Sequence, residues 1–70
     1  MRKIDTCGMS CPQPVLMTKK ALEETPEGIE VVVDNNTAKA NVSRFMKHTG
    51  YQVTVQEMGE HYIIVGEKSK

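Results

Sequence analysis

Cys7 and Cys11 are separated by Gly8, Met9 and Ser10, and the second cysteine opens the run Cys11-Pro12-Gln13-Pro14. A free thiol has a pKa of about 8.5, so only a small fraction is thiolate at neutral pH, and each unit of depression raises that fraction roughly tenfold until it saturates. Position therefore decides reactivity. Pro12 suits the first turn of a helix, because its missing N–H would be unpaired there and its φ is already helical. Cys11 then directly precedes a helix start, where the macrodipole and unpaired N–H groups favour an anion. Pro12 and Pro14 carry no N–H, which leaves Gln13 and Val15 as the nearest donors and dilutes the hydrogen-bond contribution. By fixing φ on either side of Gln13, the prolines would also hold the sulfur outward at low entropic cost when a partner docks. On residue types alone, a structural turn and a reactive thiol both remain open.

Other candidate residues are plainer. Cys7 is either a small turn residue or a second thiol able to resolve an oxidised or sulfur-loaded Cys11 into a disulfide. Cys7 and Cys11 with His48 or His61 would make a four-ligand zinc set, but the spacing matches no common finger and the histidines lie on different elements. No metal site is therefore expected. His61 reads as a solvated strand residue, His48 as the polar flank of a helix, and Asp34 as a turn former that could point toward another loop at the same end of a sheet.

The elements that must position these side chains follow from periodicity. Arg2 to Thr6 is a short strand centred on Ile4, followed by the turn Cys7-Gly8-Met9-Ser10. From Pro12 to Glu24, Pro14, Val15, Met17, Thr18, Ala21 and Leu22 share a helical face with Lys19, Lys20 and Glu23 opposite. Leu16 falls among the charged residues, away from the core. With Lys19 and Lys20 it forms a candidate docking patch for a partner protein. Pro26 and Gly28 end the helix. Ile29 to Asp34, with Val31-Val32-Val33, reads as an inner strand buried on both faces. Asn35-Asn36-Thr37 supplies the cap of a second helix, whose inner face is Ala38, Val42, Phe45, Met46 and Thr49 and whose C′ glycine is Gly50. Tyr51, Val53 and Val55 alternate with Gln52, Thr54 and Gln56 as a half-buried strand does. Met58-Gly59-Glu60 reads as a hairpin turn, Tyr62 to Val65 as a last inner strand, and Gly66 to Lys70 as a charged ending outside it. The order is βαβαββ.

Length and charge bound what this arrangement can do. At 70 residues, one domain spanning 1–70 is expected, with a thin core and chemistry on an edge or exposed turn. Nine Lys plus Arg balance nine Asp plus Glu, so no long-range field draws nucleic acid or anionic lipid, and direct nucleic-acid binding is not expected. No apolar run approaches the length of a bilayer span and no signal-peptide core follows the N-terminus. A cytoplasmic protein whose thiols stay free is the expectation.

The segment Asp5-Thr6-Cys7-Gly8-Met9-Ser10-Cys11-Pro12-Gln13-Pro14, followed by Ala21-Leu22, resembles the signature of the TusA/SirA/YedF sulfur-carrier family. The likeness extends over essentially the whole chain, including Asp34. The stretch from Asn35 to Val53 is most similar to the N-terminal domain of YedF-like proteins linked to selenium metabolism, which carry a second domain. The resemblance implies an α+β two-layer sandwich with a mixed four-stranded sheet in order 1-2-4-3, strand 4 antiparallel, and both helices on one face. It implies that Cys11 takes sulfane sulfur as a persulfide from a cysteine desulfurase or other persulfide donor and hands it to an acceptor thiol, with Pro12, Gln13 and Pro14 positioning it. No metal or organic cofactor is needed, and the chain would act as a sulfurtransferase component. Many relatives carry a basic residue at the position of Cys7 or Ser10, and this chain has neither. Two rival readings stay open: a noncatalytic regulatory or interaction module with an incidental thiol, and RNA binding by analogy to a translation-factor domain, which neutral charge and sparse aromatics disfavour.

Overall fold

The structure, a computed structural model, describes residues 2–9 and 12–68. Six elements follow one another: β1 (Arg2–Asp5), α1 (Gln13–Glu24), β2 (Gly28–Val33), α2 (Asn36–His48), β3 (Tyr51–Met58) and β4 (His61–Lys68). The strands form one mixed sheet in order β1-β2-β4-β3. β1 runs parallel to β2, and β4 runs antiparallel to both of its neighbours. The two βαβ crossovers advance in the same direction across the sheet, so right-handed connections place both helices on one face. The expected α+β sandwich is the observed one.

The inner layer is built from alternate strand residues. Ile29, Val31 and Val33 of β2 and Ile64 of β4 meet Ala21 and Leu22 of α1 and Ala38, Val42 and Met46 of α2. Ile29, Met46 and Ile64 are the largest fully buried side chains, each contributing roughly 1.5–3 kcal/mol relative to exposure. Both helices show the faces expected from periodicity. α1 buries Pro14, Thr18, Ala21 and Leu22, and Leu16 stands 52% exposed. α2 buries Ala38, Val42 and Met46 with Phe45 half-covered, but Thr49 is exposed: it is the C-cap, and its hydroxyl donates to the Phe45 carbonyl at 2.6 Å. Gly50, at φ +100°, supplies the left-handed turn after it.

The last strand corrects the sequence reading. β4 continues through Gly66 and Glu67 to Lys68, pairing with Gly28 and Ile29 on one side and Tyr51 to Val53 on the other. A glycine followed by charges carries little strand propensity, so the pairing on both edges supplies what local sequence does not. Gly66 is also where α2 presses on the sheet, because a side-chain carbon there would collide with the Met46 sulfur. The outer sheet face carries Gln52, Thr54 and Gln56, all exposed as expected. Val55, expected inside, is 41% exposed at the edge of the helical layer, since β3 is an outer strand that the helices only partly cover.

Candidate functional site

The segment that leads into α1 is fastened to the sheet at two points. Thr6, 1% exposed, donates both its N–H and its hydroxyl to the Val32 carbonyl, at 2.9 and 2.7 Å. The chain then turns, with the Met9 N–H donating to the Thr6 carbonyl at 3.1 Å and Gly8 at φ +82°. That is the geometry of a type II turn, whose third position favours glycine. The turn is thus Thr6 to Met9, one residue earlier than the sequence pattern indicated.

Two carboxylates hold this turn. The Cys7 N–H donates to Asp5 Oδ1 at 2.9 Å, and the Gly8 N–H donates to Asp34 Oδ2 at 2.8 Å. Asp34 also accepts from the Asn35 side chain. Its role is therefore wider than forming its own turn, because it ties the end of β2 to the loop between β1 and α1. The hydrogen bond from the Cys7 backbone holds the Asp5 carboxyl below the usual carboxylate range, with a further contribution from the Cys7 side chain and smaller ones from the charges of His61 and Lys3. Partial desolvation pushes the Cys7 thiol up, and the hydrogen bond and charge of Asp5, then the charge of Asp34, push it the same way. Cys7 is exposed, but its surroundings favour the protonated thiol.

Cys11 and Ser10 lie outside the described residues; the elements after them are well defined. Pro12 is the N-cap of α1 and makes no side-chain capping hydrogen bond, and Pro14 lies in the first turn. Leu16 is the first residue whose N–H returns to this turn, donating to the Pro12 carbonyl at 3.1 Å. Four positions precede it whose N–H groups have no intrahelical acceptor. Two of them, Pro12 and Pro14, carry no N–H, so Gln13 and Val15 hold the donors, as the sequence indicates. Pro12 and Gln13 are exposed, whereas Pro14 is buried and its carbonyl accepts from the Thr18 hydroxyl at 2.8 Å. The first turn is thus anchored into the core on one side and open on the other.

An arginine and a histidine stand beside that open side which the sequence reading did not connect with it. Arg44 and His48 of α2 line one groove together with Pro12, Val15, Asn41 and Phe45. The Arg44 guanidinium is oriented by donating to Asn41 Oδ1 at 2.7 Å. Their spacing of one helical turn was legible, but the packing of α2 against the start of α1 was not. Lys19 and Lys20 are exposed on α1 with Leu16. His61 sits at the start of β4, away from His48 at the end of α2. Among the described residues no three His, Cys, Asp or Glu side chains form a metal-binding group, and no helix is long and apolar enough to cross a membrane.

This geometry can be compared with known proteins. The family profile "Sulfurtransferase TusA" matches residues 2–68. The chain belongs to the TusA family. Its TusA-family relatives include a protein of Methanocaldococcus jannaschii named as a candidate sulfur carrier, 50% identical over 62 residues that cover 86% of this chain and 83% of that one. Another, from Archaeoglobus fulgidus and named in the same way, is 30% identical over 66 residues, covering 91% and 86%. The crystal structure of a SirA-like protein from Desulfitobacterium hafniense superposes with a TM-score of 0.90 at 31% identity, and the match covers 100% of both chains. Membership of the TusA family supports a sulfur-carrier role within a sulfur relay.

Proposed function

We propose that Cys11 is the sulfur-bearing residue of this chain and cycles between thiol and persulfide. The observation that carries this reading is the start of α1, immediately after Cys11 in the chain. There, among the described residues, the helix has no side-chain cap, and the open donors are the N–H groups of Gln13 and Val15. An anion at a helix N-terminus gains from the macrodipole and from such donors. Arg44 adds positive charge from α2, with His48 beside it, along the same groove as Pro12, supplying from another element what many relatives carry at the positions of Cys7 or Ser10.

In the loading step the Cys11 thiolate attacks the outer sulfur of a donor persulfide. The donor's S–S bond breaks, its cysteine leaves as thiolate, and Cys11 bears S–SH. In delivery an acceptor thiolate attacks that terminal sulfur and Cys11 departs as thiolate, so no net oxidation occurs. A cysteine desulfurase is the donor class we favour, with Leu16, Lys19 and Lys20 as one docking patch. The exposure of all three supports that assignment. Pro12, Gln13 and Pro14 hold the sulfur in place, through the buried ring of Pro14. Cys7, held as thiol by partial desolvation and then by Asp5 and Asp34, would resolve an oxidised Cys11 only slowly and serves as a brake, not as a second carrier. A selenium atom would follow the same path.

Incubation with a cysteine desulfurase and cysteine should add one sulfur, about 32 Da by intact mass, that reductant removes and Cys11→Ser abolishes, as thiolate chemistry at that atom requires. An added sulfur that survives Cys11→Ser would reject the assignment.

A further inference from the structure

The chain is neutral as a whole, yet its charges are segregated. α2 contains Lys39, Arg44, Lys47 and His48 and none of the nine acidic residues. The cations Lys39, Arg44 and Lys47, with His48 beside them, line one groove between the outer side of α2 and the edge of the sheet, floored by Ala40 and Val55. Lys39 is held in place by stacking over the Tyr62 ring at 4.5 Å. No ion pair with a carboxylate involves Lys39, Arg44 or Lys47 among the described residues, where the one salt bridge joins Arg2 to Glu24 at the far end of α1. Arg44 and His48 belong both to this groove and to the one that reaches Pro12. The basic surface is therefore continuous from the sheet edge to the residue that follows Cys11.

We propose that this face of α2 is the docking surface for an acidic segment of the protein that exchanges sulfur with Cys11. This rests on the sulfur-carrier reading and adds to it the chemistry of the partner. A cluster of like charges attracts a complementary surface over roughly a Debye length, about 8–10 Å at moderate salt. Its main effects are on association rate and on rejection of the wrong partner. Aliphatic stems of Lys39, Arg44 and Lys47, with Ala40 and Val55 beneath, give a partner side chain apolar contact as well as charge. RNA is a poorer fit for this surface because its bases need aromatic faces to stack on. Tyr62 is capped by Lys39, Phe45 packs half-buried against the core, and the Tyr51 hydroxyl is tied to the Pro26 carbonyl at 2.8 Å.

The test uses the full chain and synthetic peptides with one cysteine activated as a 2-pyridyl disulfide, flanked by glutamates, by glutamines or by lysines. The Cys11 thiolate attacks the peptide sulfur, a mixed disulfide forms, and neutral 2-thiopyridone leaves and is measured by its absorbance. The rate of Cys11→Ser is subtracted. At low salt the acidic peptide should react about tenfold faster than the glutamine peptide, as steering by a charged surface allows. That advantage should vanish in Lys39→Gln/Arg44→Gln/Lys47→Gln and persist in Lys39→Arg/Arg44→Lys/Lys47→Arg. It should also fade toward about 1 M salt, where the Debye length is about 3 Å. A wild-type chain that does not distinguish the peptides overturns the proposal. So does an advantage that survives the triple glutamine variant, or one that is lost instead in Lys19→Gln/Lys20→Gln. Displacement of the acidic peptide by a short single-stranded RNA of higher affinity would reassign the face to nucleic acid. Small, neutral 2,2′-dipyridyl disulfide is the reference: each variant's peptide rates are divided by its own rate with this reagent, which removes any change in the Cys11 thiolate that the loss of Arg44 brings, and absence of any Cys11-dependent reaction in the wild-type chain takes down the carrier reading itself.

Discussion

The two helices begin in opposite ways. At the start of α2, Asn35 is an N-cap in extended conformation whose Oδ1 accepts from the Ala38 N–H at 2.7 Å. The donors of that turn are thus partly spent on the chain itself. At the start of α1, Pro12 occupies the cap without any capping hydrogen bond, and among the described residues the donors of Gln13 and Val15 are left over. A capped start stabilises a helix by about 1 kcal/mol and has less to offer an anion from outside. An uncapped start gives up that stability and keeps its donors for a ligand. On the role proposed for Cys11, the difference separates a helix that serves the fold from one that also serves the chemistry.

This contrast can be strained first where α2 is fixed most firmly. Met46, 0% exposed, fills the space above Gly66. Met46→Ala should lower stability by about 2–5 kcal/mol in urea unfolding, the largest effect of the series and a large share of what a domain of this size possesses. Next is the cap. Asn35→Ala should cost about 1 kcal/mol by the same measurement, while sulfur loading of Cys11 keeps its wild-type rate. If loading slows in step with stability, the two helix starts are not functionally distinct.

The smallest effects belong to the turn before α1. Asp5 titrates below its ordinary value in the folded protein. The stability it contributes is therefore present above the unfolded carboxylate pKa of about 3.9 and is lost as pH falls through the lower folded value. Cys7 is shifted upward, so folding favours its thiol, and that contribution is present below the unfolded thiol pKa and is lost as pH rises through the higher folded one. In Cys11→Ser protein near pH 8, iodoacetamide should modify Cys7 more slowly than it modifies an unstructured peptide of residues 3–9, because only the thiolate reacts. Asp5→Asn should speed that modification. Equal rates for protein and peptide would mean that the turn before α1 does not hold Cys7 as the thiol.

Much of this was readable from residue order because it depends on local rules. The faces of α1 and α2 follow from a period of 3.6, the Asn35 cap from side-chain length, the turn at Gly59, which adopts φ +69°, from glycine's freedom to take such a φ, and the exposed Leu16 from its angle among charged neighbours. The Cys-Pro-Gln-Pro run is local as well, and it carried the family. What escaped is what depends on distant partners. β4 runs to Lys68 because β2 and β3 flank it on both sides, and no window of residues 61–68 contains that information.

Side-chain types and their periodicity thus decided the number and kind of elements and the two helix starts, since each arises from contacts within a few residues along the chain, while the sulfur-bearing candidate came from the resemblance of the Cys11-Pro12-Gln13-Pro14 run to a known family. Only the packed molecule brought the Asp34 carboxylate to the Gly8 N–H, 26 residues away, and Arg44 and His48 to the groove at Pro12. Such meetings depend on strand order, crossover hand and the depth at which Met46 settles on Gly66, quantities that exist only once the layers are assembled.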